Sequence, residues 1–365
     1  MKILHVVPTY LPATRYGGPI VSVHGLCRAL AARGHDVHVF TTNVDGDRTS
    51  DVPLGVAVNL DKVHVHYFAS PLRRLYYSPS MRRALRGAAE YDVVHLHSVF
   101  LWPTYAAARA ARKAGRPYVV SPRGMLVPEL IAKKSSLAKR VWIRLFEERT
   151  LLHSSIVHFT SQREREDARR TGIPVPGAVI IPNGVDVSLD RSLERGSELL
   201  FIGRINWKKG LDRLIEAMRL MPGARLTIAG NDEENYRATL PHADNVRFAG
   251  PVSGEAKDEL LRRAAALVLP SYSENFGNVV LEAMAAGAPV VVTPEVGLAA
   301  EVERSGAGVV TPNDPPALAA ALRALLADPA RRAEMGRRGR AAVEARYTWE
   351  RVAAQMEEVY ARFAL

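Results

Sequence analysis

Two carboxylates, Glu274 and Glu282, are separated by seven residues in the run Ser273-Glu274-Asn275-Phe276-Gly277-Asn278-Val279-Val280-Leu281-Glu282-Ala283-Met284-Ala285. The first falls in a turn-like segment and the second in an Ala-rich helical run. An ionised carboxylate only accepts hydrogen bonds, so a pair placed this way suits hydroxyls at two ends of one polyhydroxylated ligand. The helix between them would aim its N-terminus at that ligand, where negative charge is favoured. A sugar joined to a diphosphate has this layout, with hydroxyls at the ends and charge between.

A second run, Phe201-Ile202-Gly203-Arg204-Ile205-Asn206-Trp207-Lys208-Lys209-Gly210-Leu211, reads as a buried strand, a basic loop and the start of a helix. Arg204 offers phosphate oxygens a planar fork, and Lys209 offers a compact charge. Gly203 and Gly210 allow the backbone to come close to a ligand. Alone, the loop reads equally well as a solvated surface turn. Beside the carboxylate pair it reads as a phosphate clamp.

The first half offers His97, at the end of the strand Val93–His97, and Arg123, in Val119-Val120-Ser121-Pro122-Arg123-Gly124-Met125-Leu126. His97 would face the ligand end of a sheet, on the same side as His95 and opposite Leu96; a satisfied structural histidine is the equal alternative. Arg123 stays protonated and cannot act as a base, so a phosphate or an anionic acceptor is its natural partner. Two stretches, 71–86 and 133–146, interleave Arg and Lys with Leu, Tyr, Trp and Phe. They suit an interfacial helix on an anionic surface, or else a solvated helix face with core aromatics.

These groups need elements to position them. Val- and Ile-rich runs predict strands at 2–7, 36–41, 62–68, 93–97, 118–121 and 156–160, then at 198–203, 225–229, 246–249, 266–270, 289–293 and 308–311. A helix is expected over Pro19–Arg33, closed by Gly34. Strands alternating with helical patterns imply an α/β protein of parallel sheets. Two successive series imply two Rossmann-like, doubly wound domains, at 1–185 and 196–345. A last helix over 346–365 either packs back on the first domain or stays solvated. The break falls near Ile181–Gly196, at Pro182-Asn183-Gly184. Such sheets bind ligands at the carboxyl ends of their strands, so a cleft between the domains is the expected site.

Composition sets bounds. A chain of 365 residues is too long for one compact core. Its 47% apolar content is that of a globular protein. No apolar run approaches the ~20 residues that span a bilayer, and the first residues read as a strand rather than a signal peptide. The single cysteine, Cys27, excludes a disulfide framework and cysteine metal clusters, and a reducing cytoplasm is the expected compartment. The net charge of +11 is one-sided: residues 1–150 hold 22 Lys and Arg against 10 Asp and Glu, and the remainder 27 against 28. This favours an anionic partner on the first domain. A nucleic-acid binder would fit the charge, but no aromatic-rich RNA-binding motif or zinc motif accompanies it. An NAD-dependent oxidoreductase would need a Gly-x-Gly-x-x-Gly after the first strand, and Tyr16-Gly17-Gly18 stands there instead. No clustered Asp or His residues suggest a metal.

Together these motifs resemble the retaining GT-B glycosyltransferases, specifically glycosyltransferase family 4, over nearly the full length. The resemblance rests on Tyr16-Gly17-Gly18, Arg33-Gly34-His35-Asp36-Val37, Asp92-Val93-Val94-His95-Leu96-His97, Ile181-Pro182-Asn183-Gly184-Val185-Asp186, the 203–210 loop and Glu274 to Glu282, which matches the family's E-x7-E pattern. It implies that Arg204 and Lys209 hold the donor diphosphate, Glu274 the transferred sugar and Glu282 the ribose. Backbone of Asn275, Phe276, Gly277 and Asn278 would wrap sugar and phosphate. Gly17 and Gly18 would approach the donor, and Val252 would sit near the base.

The implied donor is a UDP-, GDP- or ADP-linked sugar with no metal or other cofactor. The acceptor is a glycan or a lipid-linked molecule, with a possible peripheral contact to anionic membrane and no nucleic acid. A GT-B epimerase or phosphorylase is the nearest enzymatic alternative. Many family members carry a histidine where Arg123 stands. A Ser-Pro-Arg-Gly-Met-Leu subgroup is associated with cell-surface polysaccharide pathways.

Overall fold

The computed structural model describes residues 1–13, 17–128, 131, 141–187, 195–232 and 235–364. Tyr16 of the first glycine motif and Lys133, Lys134, Lys139 and Arg140 of the second basic stretch lie outside the described residues. The chain forms two compact units: Met1–Gly184 with Trp349–Leu365, and Val185–Thr348. The chain passes from the first unit to the second at Gly184/Val185 and returns at Thr348/Trp349.

The first unit is built on an eight-stranded sheet. Its strands are β1 (Lys2–Thr9), β2 (Asp36–Thr42), β5 (Ala57–Leu60), β6 (Val63–Phe68), β7 (Val93–His97), β8 (Tyr118–Ser121), β9 (Ile156–Phe159) and β10 (Ala178–Ile180), in the order β10-β9-β8-β7-β1-β2-β6-β5. All neighbours run parallel except β5 on β6. A two-stranded ribbon, β3 (Val44–Asp45) with β4 (Arg48–Thr49), stands apart. Alternate residues of the central strands enter two different cores. Ile3, Val37, Val93 and Val119 pack with the helices Gly18–Ala32 and Trp349–Ala361, while Leu4, Val94, Leu96 and Val120 pack with Ala107, Ala108 and Leu151. Burial on both faces is why these strands read as continuous apolar runs.

The last helix, expected over 346–365, is Trp349–Ala361; the helix Pro329–Arg346 precedes it, and the two are separated at Tyr347 and Thr348. The last helix belongs to the first unit. Its Trp349 ring occupies the space a side chain would need at two glycines: an added Cβ would stand 2.3 Å from the ring at Gly25 and 2.6 Å at Gly184. Arg33 and Glu357 close the other end with an ion pair of 2.6 Å.

The second unit is a six-stranded parallel sheet in the order β13-β12-β11-β14-β15-β16. Its strands are β11 (Leu199–Ile202), β12 (Leu226–Ala229), β13 (Val246–Gly250), β14 (Ala266–Leu269), β15 (Val290–Val292) and β16 (Gly308–Val310). Every residue of β11, β12, β14 and β15 is buried. Helices such as Leu211–Arg219 and Asn278–Ala285 contribute Leu214, Ile215, Leu281 and Met284 to the same core.

Candidate functional site

In the second unit, the loops that follow β11, β14 and β15 are tied into one patch at the carboxyl ends of the strands. The loop after β11 turns through Trp207–Lys209, where Asn206 Oδ1 accepts from the Lys208 N–H at 3.1 Å. It ends at Gly210, whose φ of 65° is left-handed and where an added Cβ would stand 2.0 Å from the Pro270 carbonyl. Only glycine fits there. The Tyr272 N–H donates to the Lys208 carbonyl at 2.8 Å, and the Lys209 ammonium is ion-paired with the Glu274 carboxylate. The Glu274 N–H in turn donates to Glu295 (3.1 Å), and Gly297 donates back to the Glu274 carbonyl (2.8 Å).

Gly277, at φ 94°, starts the helix Asn278–Ala285, whose first turn carries no acidic residue. The dipole of this helix favours an anion at that end, beside the Lys209–Glu274 pair. Glu282, on this helix, pairs with Lys257 of the helix Gly254–Arg263 at 2.8 Å. Phe276 is buried in the core, so only its backbone is offered to a ligand. Asn275, Asn278 and Val252 are half-buried, Gly203 closes β11, and Arg204 is exposed. Arg204 has no carboxylate within ion-pair distance among the described residues. Lys257 was not singled out in the sequence: it comes from a separate helix that only the fold brings beside Glu282.

In the first unit, β1, β7 and β9 bring four histidines together, and β8 adds Ser121. Their tautomers follow from their partners. The Ile181 carbonyl only accepts, so His158 Nε2–H donates to it (2.8 Å) and Nδ1 accepts from the Ser121 hydroxyl (2.7 Å). Ser121 Oγ then accepts from His95 Nε2–H (2.6 Å), and His95 Nδ1 accepts from the Tyr360 hydroxyl (2.6 Å). On a second branch the guanidinium of Arg123 only donates, so His97 Nδ1 accepts from it at 3.2–3.3 Å. His97 Nε2–H donates to His5 Nδ1 at 2.9 Å. His5 Nε2 is buried without a partner.

Burial first, and the Arg123 charge among the further causes, drive these imidazoles to the neutral form. His5 and His158 are pushed down to about 3, and His95 and His97 fall well below the usual histidine range. Ring nitrogens of His5, His95 and His97 lie within 4.8 Å of one another, a spacing a metal ion uses. Against a cation stand the adjacent guanidinium and the hydrogen bonds that already occupy His95 and His97.

The expectation that His97 faces a ligand is corrected here. His97 is 1% exposed, and both its nitrogens are engaged. It holds Arg123 instead. Arg123 also donates to Asn183 Oδ1 at 2.9 Å, which gives the Pro-Asn-Gly segment a role beyond marking a boundary. Gly17 caps the helix Gly18–Ala32 at φ 66° with no atom within 4 Å of an added Cβ.

The two basic stretches have a third partner that the sequence did not announce. The helix Trp102–Lys113 lines two neighbouring cavities of about 500 and about 640 Å³. Arg82, Arg86, Arg109, Arg112, Lys113 and Arg149 border them, all exposed and none ion-paired among the described residues. Tyr105, Phe146 and Trp142 form an aromatic cluster at the same place, next to exposed Val141 and Leu145.

Known proteins share this architecture. Residues 191–342 match the family described as Glycosyl transferases group 1, and residues 17–184 match the Glycosyl transferase 4-like domain. Glycogen synthase of Mycobacterium tuberculosis is 30% identical over 99% of this chain and 94% of its own length. A D-inositol 3-phosphate glycosyltransferase of Xylanimonas cellulosilytica is 30% identical over 99% and 96%. Among solved structures, Anabaena Alr3699/HepE in complex with UDP-glucose superposes with a TM-score of 0.75 at 21% identity, covering 99% of this chain and 100% of that one. Sucrose-phosphate synthase from Thermosynechococcus elongatus gives 0.75 at 22% identity and 99% of each chain.

Proposed function

The chain belongs to the group 1 glycosyltransferases of family 4, with the GT-B fold, and we propose that it moves a hexose-type sugar from a nucleoside diphosphate sugar to a glycan or lipid-linked acceptor with retention of configuration. The observation that carries this reading is the Lys209–Glu274 ion pair beside the N-terminus of the helix Asn278–Ala285. It sets a cation, a hydroxyl acceptor and an anion-favouring helix end side by side.

Lys209 and Arg204 hold the diphosphate, Glu274 the sugar hydroxyls and Glu282, steadied by Lys257, the ribose. In the transfer step the bond from the sugar's anomeric carbon to the phosphate oxygen breaks, and its electron pair goes to the diphosphate. The acceptor oxygen bonds to the same face, and its proton passes to the departing phosphate oxygen. Fixed cations aimed at the leaving group are the main stabilising element, because they need no reorganisation as charge develops. They also take the place of a metal ion. The UDP and UDP-glucose held by the Anabaena structures support a nucleotide-sugar donor.

The basic face of the first unit supports a phosphate-bearing acceptor or an anionic membrane surface, as expected for cell-surface polysaccharide or glycolipid synthesis. Among the described residues no helix is long and apolar enough to cross a membrane, so the contact proposed is peripheral, at the cytoplasmic face. A donor panel tests the reading: nucleotide sugars are scored by thermal shift, and the preferred one is assayed with and without glycan acceptors. Transfer to acceptor supports it. A sugar converted without acceptor would make the enzyme an epimerase instead.

A further inference from the structure

We infer that Arg123 is the receptor for a second anionic group, a carboxylate or a phosphate monoester, carried by one of the two sugars that the enzyme joins. The inference rests on the glycosyl-transfer reading and adds a charge that the substrate must bear besides the donor diphosphate.

The guanidinium is half-buried at the carboxyl end of β8, where open α/β sheets take their ligands. Its contacts are all with neutral acceptors: Nε and one terminal nitrogen to His97 Nδ1, the other terminal nitrogen to Asn183 Oδ1. A guanidinium carries five N–H donors. These contacts leave one N–H on each terminal nitrogen, which is the pair an oxyanion takes two at a time.

No carboxylate within ion-pair distance answers the charge among the described residues. Glu164 is the acid of the neighbourhood, and it is committed elsewhere. Its Oε1 accepts from the Gly124 N–H (2.6 Å), and its Oε2 accepts from the Thr160 N–H and hydroxyl (both 2.7 Å). It builds the loop and leaves Arg123 unpaired. A charge partly withdrawn from water without an anionic partner is costly, and a ligand anion reduces that cost.

The histidine network fits this role. Because His97 gives its one proton to His5, it offers Arg123 a lone pair and brings no second positive charge. It therefore aims the guanidinium without competing for the anion. The backbone is strained at the same place. Ser98 (φ 76°), Phe100 (φ 64°) and Arg123 (φ 54°) are non-glycine residues in the left-handed region, all in the loops after β7 and β8. Such strain collects where geometry serves binding. The Phe100 turn is pinned by its N–H to the buried Glu147 carboxylate at 2.8 Å.

The test uses the full chain saturated with UDP and three probes at fixed ionic strength: glucose, glucuronate and glucose 6-phosphate. Affinities are read by ligand-observed NMR for the parent protein, Arg123→Gln and Arg123→Lys. The expected result is an anion bound about tenfold more tightly than glucose, a margin one charge-assisted pair supplies. The preference falls to within about twofold in Arg123→Gln and is partly kept in Arg123→Lys. A preference for glucuronate assigns a carboxylate, and one for glucose 6-phosphate assigns a phosphate. The proposal is overturned if neither anion outbinds glucose, or if Arg123→Gln keeps the preference. UDP binding separates the two levels: its absence in the parent protein defeats the glycosyl-transfer reading, whereas its persistence in Arg123→Gln shows that the variant is folded.

Discussion

The Lys209 ammonium and the Glu274 carboxylate, 65 positions apart in sequence, are ion-paired and join the loop after β11 to the loop after β14. On the proposed function, a donor would meet this pair already formed. An ammonium has three N–H donors, so one can stay on Glu274 while the others turn to phosphate.

Separating the two charges should separate two functions. Lys209→Ala removes the cation proposed to hold the phosphate, and transfer is expected to fall about 10²- to 10³-fold. Glu274→Gln keeps the cation, so the nucleoside diphosphate alone still binds while turnover of the sugar nucleotide drops. Titration calorimetry with UDP beside initial rates checks this. Equal loss of UDP binding in both variants would contradict the assignment of Glu274 to the sugar.

Gly210→Ala should unfold the clamp rather than tune it. The left-handed backbone and the 2.0 Å approach of an added Cβ to the Pro270 carbonyl leave no room to relax. A loss of about 1–3 kcal/mol is expected from the backbone alone, read as a lower urea midpoint. An unchanged midpoint would show that the loop is free of β14.

Acid should destabilise the first unit. His5 and His158 titrate at about 3 when folded and His95 and His97 also stay neutral, whereas the unfolded chain takes up these protons near 6.5. The folded state thus loses stability as pH falls below 6.5, because the unfolded chain binds protons that the buried imidazoles refuse. Glu147 works the other way: raised to about 7, it binds a proton in the folded state and gains stability as pH falls from 7 to 4.5. Four histidines outweigh one glutamate, so urea midpoints should fall between pH 7 and pH 5. A flat profile would mean that the cluster charges freely.

The cationic face around the helix Trp102–Lys113 should bind anionic vesicles at low salt and release them as salt rises. Arg109→Glu with Arg112→Glu should abolish co-sedimentation while leaving UDP binding intact. No sedimentation of the parent protein at low ionic strength would remove the membrane contact from the account.

Much of this was legible from residue types. Val93–His97 and Tyr118–Ser121 stand where their apolar runs predicted, because parallel strands buried on both faces leave an unbroken signal. The ribbon Val44–Asp45 with Arg48–Thr49 and the strands Ala57–Leu60 and Ala178–Ile180 did not, being short or at sheet edges. In the candidate site the acid and base types and their spacing were legible, but their partners were not. Lys257 reaches Glu282 from another helix, and Tyr360 reaches His95 across 265 positions. The three cations of the helix Trp102–Lys113 were not singled out in the sequence; the fold sets them beside Arg82, Arg86 and Arg149.

The second unit is proposed to hold a nucleoside diphosphate sugar on Lys209, Glu274 and Glu282. The most direct measurement is the thermal shift of the full chain with UDP-, GDP- and ADP-linked sugars, repeated on Lys209→Ala and Glu282→Ala. A ligand at 100 times its dissociation constant stabilises by about 2.7 kcal/mol. A rise in melting temperature is expected with at least one donor in the parent protein, and its loss in both variants. No shift with any donor, or a shift that survives both substitutions, would contradict that proposal.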